Sequence, residues 1–96
     1  MITIRRAVLK RCPHRDETDR GELAITLPGD APELHHLGAQ VDVLCDHAVT
    51  HEDFTRSVLA LLPEGARVAT TWHTGPWLVE VSEGALLREP VNGEGA

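Results

Sequence analysis

The apolar residues change from a two-residue period to a helical period and back again along this chain. Residues 23–27 alternate apolar with polar or small side chains, which is typical of a half-buried strand, and residues 2–11 mix β-branched and other apolar residues with Thr and Arg, which predicts a first strand. Residues 68–72 and 77–81 alternate in the same way on either side of a Gly-Pro turn, so they predict a hairpin. The polar segment 13–21, PHRDETDRG, predicts a loop.

Two amphipathic helices are predicted between the strand pairs. Asp30 is the predicted N-cap of the first, with Pro32 in its first turn and Glu33 placed to complete a capping box. Residues 46–49 interrupt the helical period. The apolar face of the first helix consists of Leu34, Leu37, Val41, Leu44 and Cys45.

The second helix has a clearer start. Thr50 is its predicted N-cap, and Glu52 and Asp53 complement the positive end of the helix dipole. Its apolar stripe consists of Phe54, Val58, Leu61 and Leu62.

The predicted fold class is therefore α+β, with the order β-β-α-α-β-β and both helices on one face of a four-stranded antiparallel sheet. Such a sheet has two open edges, and a chain of 96 residues has a small core. We therefore predict a homo-oligomer whose subunits join edge to edge and close a barrel. Residues 1–83 are predicted to form one domain, and residues 84–96 a flexible tail.

Charge and composition limit the classes of partner. The net charge of −6 argues against non-specific binding to duplex nucleic acid. No apolar run is long enough to cross a membrane, and charges interrupt the apolar N-terminal stretch, so we expect a cytoplasmic protein without a membrane partner. The basic residues cluster beside Cys12, at Arg5, Arg6, Lys10, Arg11, Arg15 and Arg20.

Two short motifs carry residues suited to chemistry. Cys12-Pro13 is followed seven residues after the cysteine by Asp19, and a cysteine nucleophile needs a base or a cation nearby. Asp19 is a candidate acid or base, although solvated carboxylates beside an inert thiol explain the same motif. His51 and Glu52 form the second motif, for which helix capping is the alternative explanation.

In their order and spacing, these motifs resemble the 7-cyano-7-deazaguanine reductase (QueF) family of the tunnelling fold (T-fold), over residues 3–82. The resemblance implies that Cys12 attacks a nitrile carbon to give a covalent thioimide, and that Asp19 supplies a proton to the nitrogen. It implies that His51 assists proton transfer or positioning, and that Glu52 binds the donor edge of a purine-like base. His47 falls where the family often has a further histidine, which implies that it helps to bind the substrate, and the family's sites lie between subunits.

The chain departs from the reductases where they bind their dinucleotide. The family's lysines in the first long helix are absent from residues 33–38, and the turn expected in the final hairpin is replaced by residues 73–77. A cofactor phosphate needs cations or a free helix N-terminus, so we predict that no cofactor is bound. The resemblance is closer to the archaeosine-forming branch, in which ammonia converts the thioimide on transfer RNA to an amidine.

Several alternatives stay open from the sequence. An NADPH-dependent nitrile reductase and a non-catalytic T-fold binding or scaffold protein are the competing functions. The nitrile is either a free base or part of a nucleic acid such as tRNA. Zinc is disfavoured because the histidines lack ligand spacing, so no metal is predicted.

Overall fold

The structure is a computed structural model that describes residues 1–84. Its elements are β1 (Ile2–Arg11), β2 (Thr18–Leu27), α1 (Leu34–Cys45), α2 (His51–Leu59), β3 (Arg67–Thr74) and β4 (Trp77–Gly84). The predicted order β-β-α-α-β-β is confirmed. Of the predicted tail, Gly84 ends β4, and residues 85–96 lie outside the described residues. No helix within residues 1–84 is long and apolar enough to span a bilayer.

The four strands form one antiparallel sheet in the order β1-β2-β3-β4. The β1–β2 register runs from Ile2 opposite Leu27 to Arg11 opposite Thr18. β3 and β4 pair through to Thr74 opposite Trp77, so a two-residue Gly-Pro turn joins them, as predicted. β1 and β4 are consequently the two edge strands.

The prediction of a loop over residues 13–21 was wrong at its C-terminal end, because β2 already begins at Thr18. Gly21 lies inside the strand, opposite Trp72. A Cβ atom at this position would lie 2.4 Å from the Thr71 carbonyl oxygen and 2.7 Å from the Trp72 ring. Glycine is therefore needed here for close packing, and does not mark a turn.

Both helices pack on the same face of the sheet, as predicted. Their buried residues join those of the strands in one core, which consists of Val8, Leu23, Ile25, Leu27, Leu37, Val41, Phe54, Val58, Ala66, Val68 and Trp72. The opposite face carries threonines, alanines and charged side chains, including Thr3, Arg5, Glu22, Ala24, Thr26, Arg67, Ala69, Thr71 and Glu80.

The prediction that Asp30 caps α1 was wrong, because the N-cap is Glu33. Its carboxylate accepts hydrogen bonds from the backbone N–H groups of His36 at 2.8 Å and His35 at 3.1 Å. These two bonds lower the pKa of Glu33, with that from His36 contributing most. A helix starting at Asp30 would require a helical residue directly before Pro32, which proline disfavours.

The predicted start of α2 is confirmed. The Thr50 hydroxyl accepts a hydrogen bond from the Asp53 N–H at 3.1 Å, and Glu52 and Asp53 occupy the first turn. The Thr50 cap fixes the orientation of the first turn of α2, which includes His51 and Glu52, relative to the sheet. That end of the sheet contains the candidate site.

Candidate functional site

Four parts of the chain meet around one cavity at an end of the sheet. They are the end of β1 with the loop after it, the start of β2, the first turn of α2 and the end of β3. The cavity measures about 210 Å³ and is lined by Lys10, Cys12, Pro13, His14, Arg15, Asp19, Thr50, His51, Glu52 and Thr74.

Four of the five predicted site residues line this cavity. Cys12 follows β1 directly, and its backbone N–H donates to the Glu17 carbonyl at 3.0 Å, which closes the loop. Asp19 lies in β2, and His51 and Glu52 are the first two residues of α2. The fold therefore brings the two motifs together although about thirty residues separate them in the sequence.

The fifth predicted residue, His47, lies elsewhere. It is exposed in the turn after α1, where its backbone N–H donates to the Leu44 carbonyl at 3.2 Å. Its side chain does not line the cavity. Within one chain, the structure does not bring His47 to the other four residues.

Lys10 is the residue that sequence reasoning assigned to the wrong environment. Its side chain is 0% exposed, and its ammonium group donates to Asp19 Oδ2 at 2.7 Å and to the Val49 carbonyl at 2.8 Å. The same nitrogen lies 4.8 Å from the centre of a Trp72 ring. Lys10 could have been found from its alternation with the buried Val8, since i and i+2 share a face of a strand.

His51 lies flat against Trp72. The two rings are 4.7 Å apart at an angle of 6°, and Phe54 meets the same tryptophan edge-on at 5.4 Å. Burial and then the Lys10 ammonium lower the pKa of His51, while the carboxylates of Asp19 and Glu52 oppose this effect. The imidazole is consequently neutral at pH 7 and able to accept a proton.

A chain of hydrogen bonds through two threonines holds Trp72 and His51 in this arrangement. Trp72 Nε1 donates to Thr70 Oγ1 at 2.8 Å, and Thr55 Oγ1 donates to the His51 carbonyl at 2.7 Å. The two threonine oxygens are 2.6 Å apart. Because Thr55 has only one hydroxyl proton, Thr70 must donate to Thr55. The chain thus joins the indole of Trp72 to the backbone of His51.

The basic cluster is not one continuous surface. Lys10 is buried, Arg6 binds Asp42 at 3.0 Å, and the Arg15 guanidinium lies 3.7 Å from Glu17. Arg5 and Arg20 lie on the open face, because they alternate with the inward-facing residues, whereas Arg11 lines a second cavity together with Cys12 and Arg15. The predicted patch beside Cys12 is therefore divided between two faces of the sheet.

The second cysteine has a different environment. Cys45 ends α1 and packs partly buried against the core, as predicted. Burial raises the pKa of its thiol. Cys45 therefore serves as a natural comparison for the reactivity of Cys12.

Comparison with protein-family models and with curated proteins finds no match for this chain. Within residues 1–84, no three His, Cys, Asp or Glu side chains come together as ligands for a metal ion. What the site can do must therefore be inferred from its own chemistry: a thiol, a lysine-bound carboxylate, a neutral imidazole and a second carboxylate around one cavity.

Proposed function

We propose that this chain is a cysteine-dependent enzyme of the QueF type that acts on a 7-cyano-7-deazaguanine-like nitrile without reducing it. The observation that supports this most is the common cavity of Cys12, Asp19, His51 and Glu52. These are the residues that the two motifs contribute. A solvated loop and a simple helix cap would not require them to share a cavity.

The first step adds the Cys12 thiol across the nitrile. His51 accepts the thiol proton, and the sulfur bonds to the nitrile carbon. The proton on His51 then passes to the Asp19 carboxylate, whose Oδ2 is 3.9 Å from His51 Nδ1, and Asp19 gives it to the nitrogen. The product is a thioimide, and the net change is the transfer of one proton from sulfur to nitrogen.

The second step is attack by ammonia on the thioimide carbon. The Cys12 sulfur leaves as a thiol with one proton from the ammonia, and the nitrile carbon becomes an amidine. No electrons are transferred. Glu52 accepts hydrogen bonds from the donor edge of the deazapurine and holds the nitrile towards the sulfur.

Reduction is disfavoured by the start of α1. The two N–H groups that a cofactor phosphate would use there are occupied by the Glu33 carboxylate. An anion at this position repels a phosphate, and neighbouring His35 and His36 replace lysines. An NADPH-dependent reductase would need another binding surface.

The assembly we propose is a T-fold ring in which β1 of one subunit pairs with β4 of the next. Within residues 1–84, the large apolar side chains that strands expose all lie on these two edges, at Ile2, Leu9, Trp77 and Leu78. The edges also differ in charge, because β1 exposes Arg5, Arg6 and Arg11 whereas β4 carries two glutamates. Pairing the edges would cover both features.

Such a ring would complete the cavity. Trp77 is 71% exposed and pairs with Thr74, which lines the cavity at the end of β3. Because β1 and β4 run antiparallel, Trp77 of a neighbouring copy would approach the end of β1, next to Cys12. Its indole would then stack on the deazapurine.

The substrate is a small nitrile or the same base within tRNA. Division of the basic cluster between two faces favours the small molecule. Two free thiols suit a reducing compartment, so we assign the protein to the cytoplasm.

The test uses 7-cyano-7-deazaguanine with ammonium or with NADPH, and with tRNA bearing the nitrile as a third substrate. Amidine should form with ammonium and not with NADPH alone. Cys12→Ala should abolish the product, and Cys45→Ala should retain it. Formation of the amine with NADPH would instead establish the reductase. A bound but unreacted nitrile would establish a non-catalytic binding protein.

A further inference from the structure

Lys10 is a buried cation at the meeting point of several elements. It belongs to β1, binds a carboxylate in β2 and a carbonyl just before α2, and lies against Trp72 of β3. A lysine this deeply buried is rare unless its charge is paired. Apolar residues of similar size would fill the space without the cost of removing two charges from water. The pair therefore calls for an explanation beyond stability.

The contacts of Asp19 suggest that explanation. The Lys10 ammonium and His51 Nδ1 both lie near the same carboxylate oxygen, Oδ2, at 2.7 and 3.9 Å. Among residues 1–84, Oδ1 accepts no hydrogen bond. Asp19 lines the cavity and its side chain is only 12% exposed, so Lys10 fixes the rotation of the carboxylate.

We propose that Lys10 is a positioning residue, which holds Oδ2 of Asp19 so that Oδ1 is presented to the nitrile nitrogen. This inference rests on the proposed function. Lys10 does not react with the substrate, because its ammonium is already bound to Asp19 and to the Val49 carbonyl. Its bond to Val49 also sets the distance between Asp19 and the start of α2. Loss of Lys10 should therefore slow nitrile addition mainly through Asp19, and its smaller effect on the pKa of His51 is the part that should persist without Asp19.

The test is a double-mutant cycle with Lys10→Met and Asp19→Asn. The rate of thioimide formation and the half-saturating concentration of 7-cyano-7-deazaguanine are followed by intact mass. Lys10→Met should lower the maximal rate by about 10- to 100-fold, at most the lower end of what acid–base catalysis contributes, because Asp19 itself remains. The half-saturating concentration should change by less than about 3-fold. In the Asp19→Asn background, Lys10→Met should have an effect below about 2-fold.

A merely structural role gives a different result. The same loss of rate in both backgrounds, or an equal loss from Lys10→Gln and Lys10→Met, would overturn the inference, because glutamine keeps a donor for Asp19. Circular dichroism at the assay temperature confirms that each variant is folded. The matched control is Arg56→Met, which removes an exposed cation bound to Asp53 and should leave the rate unchanged.

Failure of this inference can be distinguished from failure of the proposed function. If the unaltered chain forms no thioimide, both are wrong. If it does and Lys10→Met reacts at the same rate, only the role of Lys10 is wrong. A rate that depends on Lys10 only when Asp19 is present supports both.

Discussion

The two ends of the inward face of the sheet differ in character although the same strands build them. At one end, Ile25, Leu27 and Val68 pack against Leu37 and Val41 without polar partners. At the other end, Lys10 and Asp19 form an ion pair beneath His51, and Thr70 and Thr55 carry a hydrogen-bond chain. A single strand such as β2 thus supplies an apolar core residue at one end and a catalytic candidate at the other.

This difference separates the region that stabilises the fold by apolar burial from the region that holds the candidate reactive groups. The apolar end gains free energy from burial alone, which tolerates small shifts in position. At the polar end, Lys10, Asp19, Thr55 and Thr70 each have a buried hydrogen-bond partner, and the loss of one partner costs free energy and disturbs the geometry of the rest. Substitutions at the two ends should therefore have different consequences for stability and for rate.

Breaking the ion pair should have the largest effect on stability. Lys10→Met leaves the Asp19 carboxylate without its buried partner, which should cost about 3–5 kcal/mol in the free energy of unfolding. Replacing both residues, as in Lys10→Met/Asp19→Leu, should recover most of that loss. Urea unfolding measures both changes. If the double variant is no more stable than Lys10→Met, the cost does not arise from an unpaired charge.

A cavity at the apolar end should cost nearly as much and leave the chemistry intact. Leu27→Ala removes a side chain that is fully buried and should destabilise the protein by about 2–5 kcal/mol. The rate of thioimide formation per folded molecule should not change. Val43→Ala, at an exposed site on α1, is the control and should stay within about 0.5 kcal/mol. A lower rate in Leu27→Ala would show that the two ends are coupled.

Interrupting the threonine chain should have an intermediate effect. Thr70→Val removes the acceptor of Trp72 Nε1 and the donor to Thr55, at a cost of about 1–3 kcal/mol. Exchange of the Trp72 indole proton, measured by NMR, should become faster. Thr71→Val on the open face is the matched control. Unchanged exchange in Thr70→Val would mean that the chain does not hold the indole.

The smallest effect should come from pH. Burial and Lys10 lower the pKa of His51 below its ordinary value of 6.5, so the unfolded chain binds a proton more readily than the folded chain. This contribution to stability is complete above pH 6.5 and is lost as the pH falls towards the lowered pKa. Between pH 7.5 and 5.5, Tm should fall more in the unaltered protein than in His51→Gln. Equal changes would show that His51 does not contribute.

The sequence alone was sufficient to predict those elements of the fold that depend on a local residue pattern. The alternation of apolar residues predicted the strands, and Thr50 followed by two acidic residues predicted the start of α2. The cysteine and histidine motifs also predicted four residues that the fold brings to one cavity. The strands and the start of α2 depend on spacing within a short segment, whereas the meeting of the two motifs was predicted only through the family resemblance in their order and spacing.

The features that were missed depend on contacts between distant segments. From the sequence, Gly21 is typical of a turn. Only the fold shows that Trp72 packs against it. Lys10 resembles a member of a basic surface until Asp19 and Val49 are placed around its ammonium. At α1, the capping-box pattern favoured Asp30 as the N-cap. The actual N-cap is Glu33, because its carboxylate reaches the N–H groups of its own helix.

The most direct test of the central claim is the mass of the protein after incubation with 7-cyano-7-deazaguanine in the absence of ammonium. We predict that each chain gains the mass of one intact nitrile, that the adduct lies on the peptide containing Cys12, and that Asp19→Asn forms it more slowly. An unchanged mass, or an adduct on Cys45, would contradict the account.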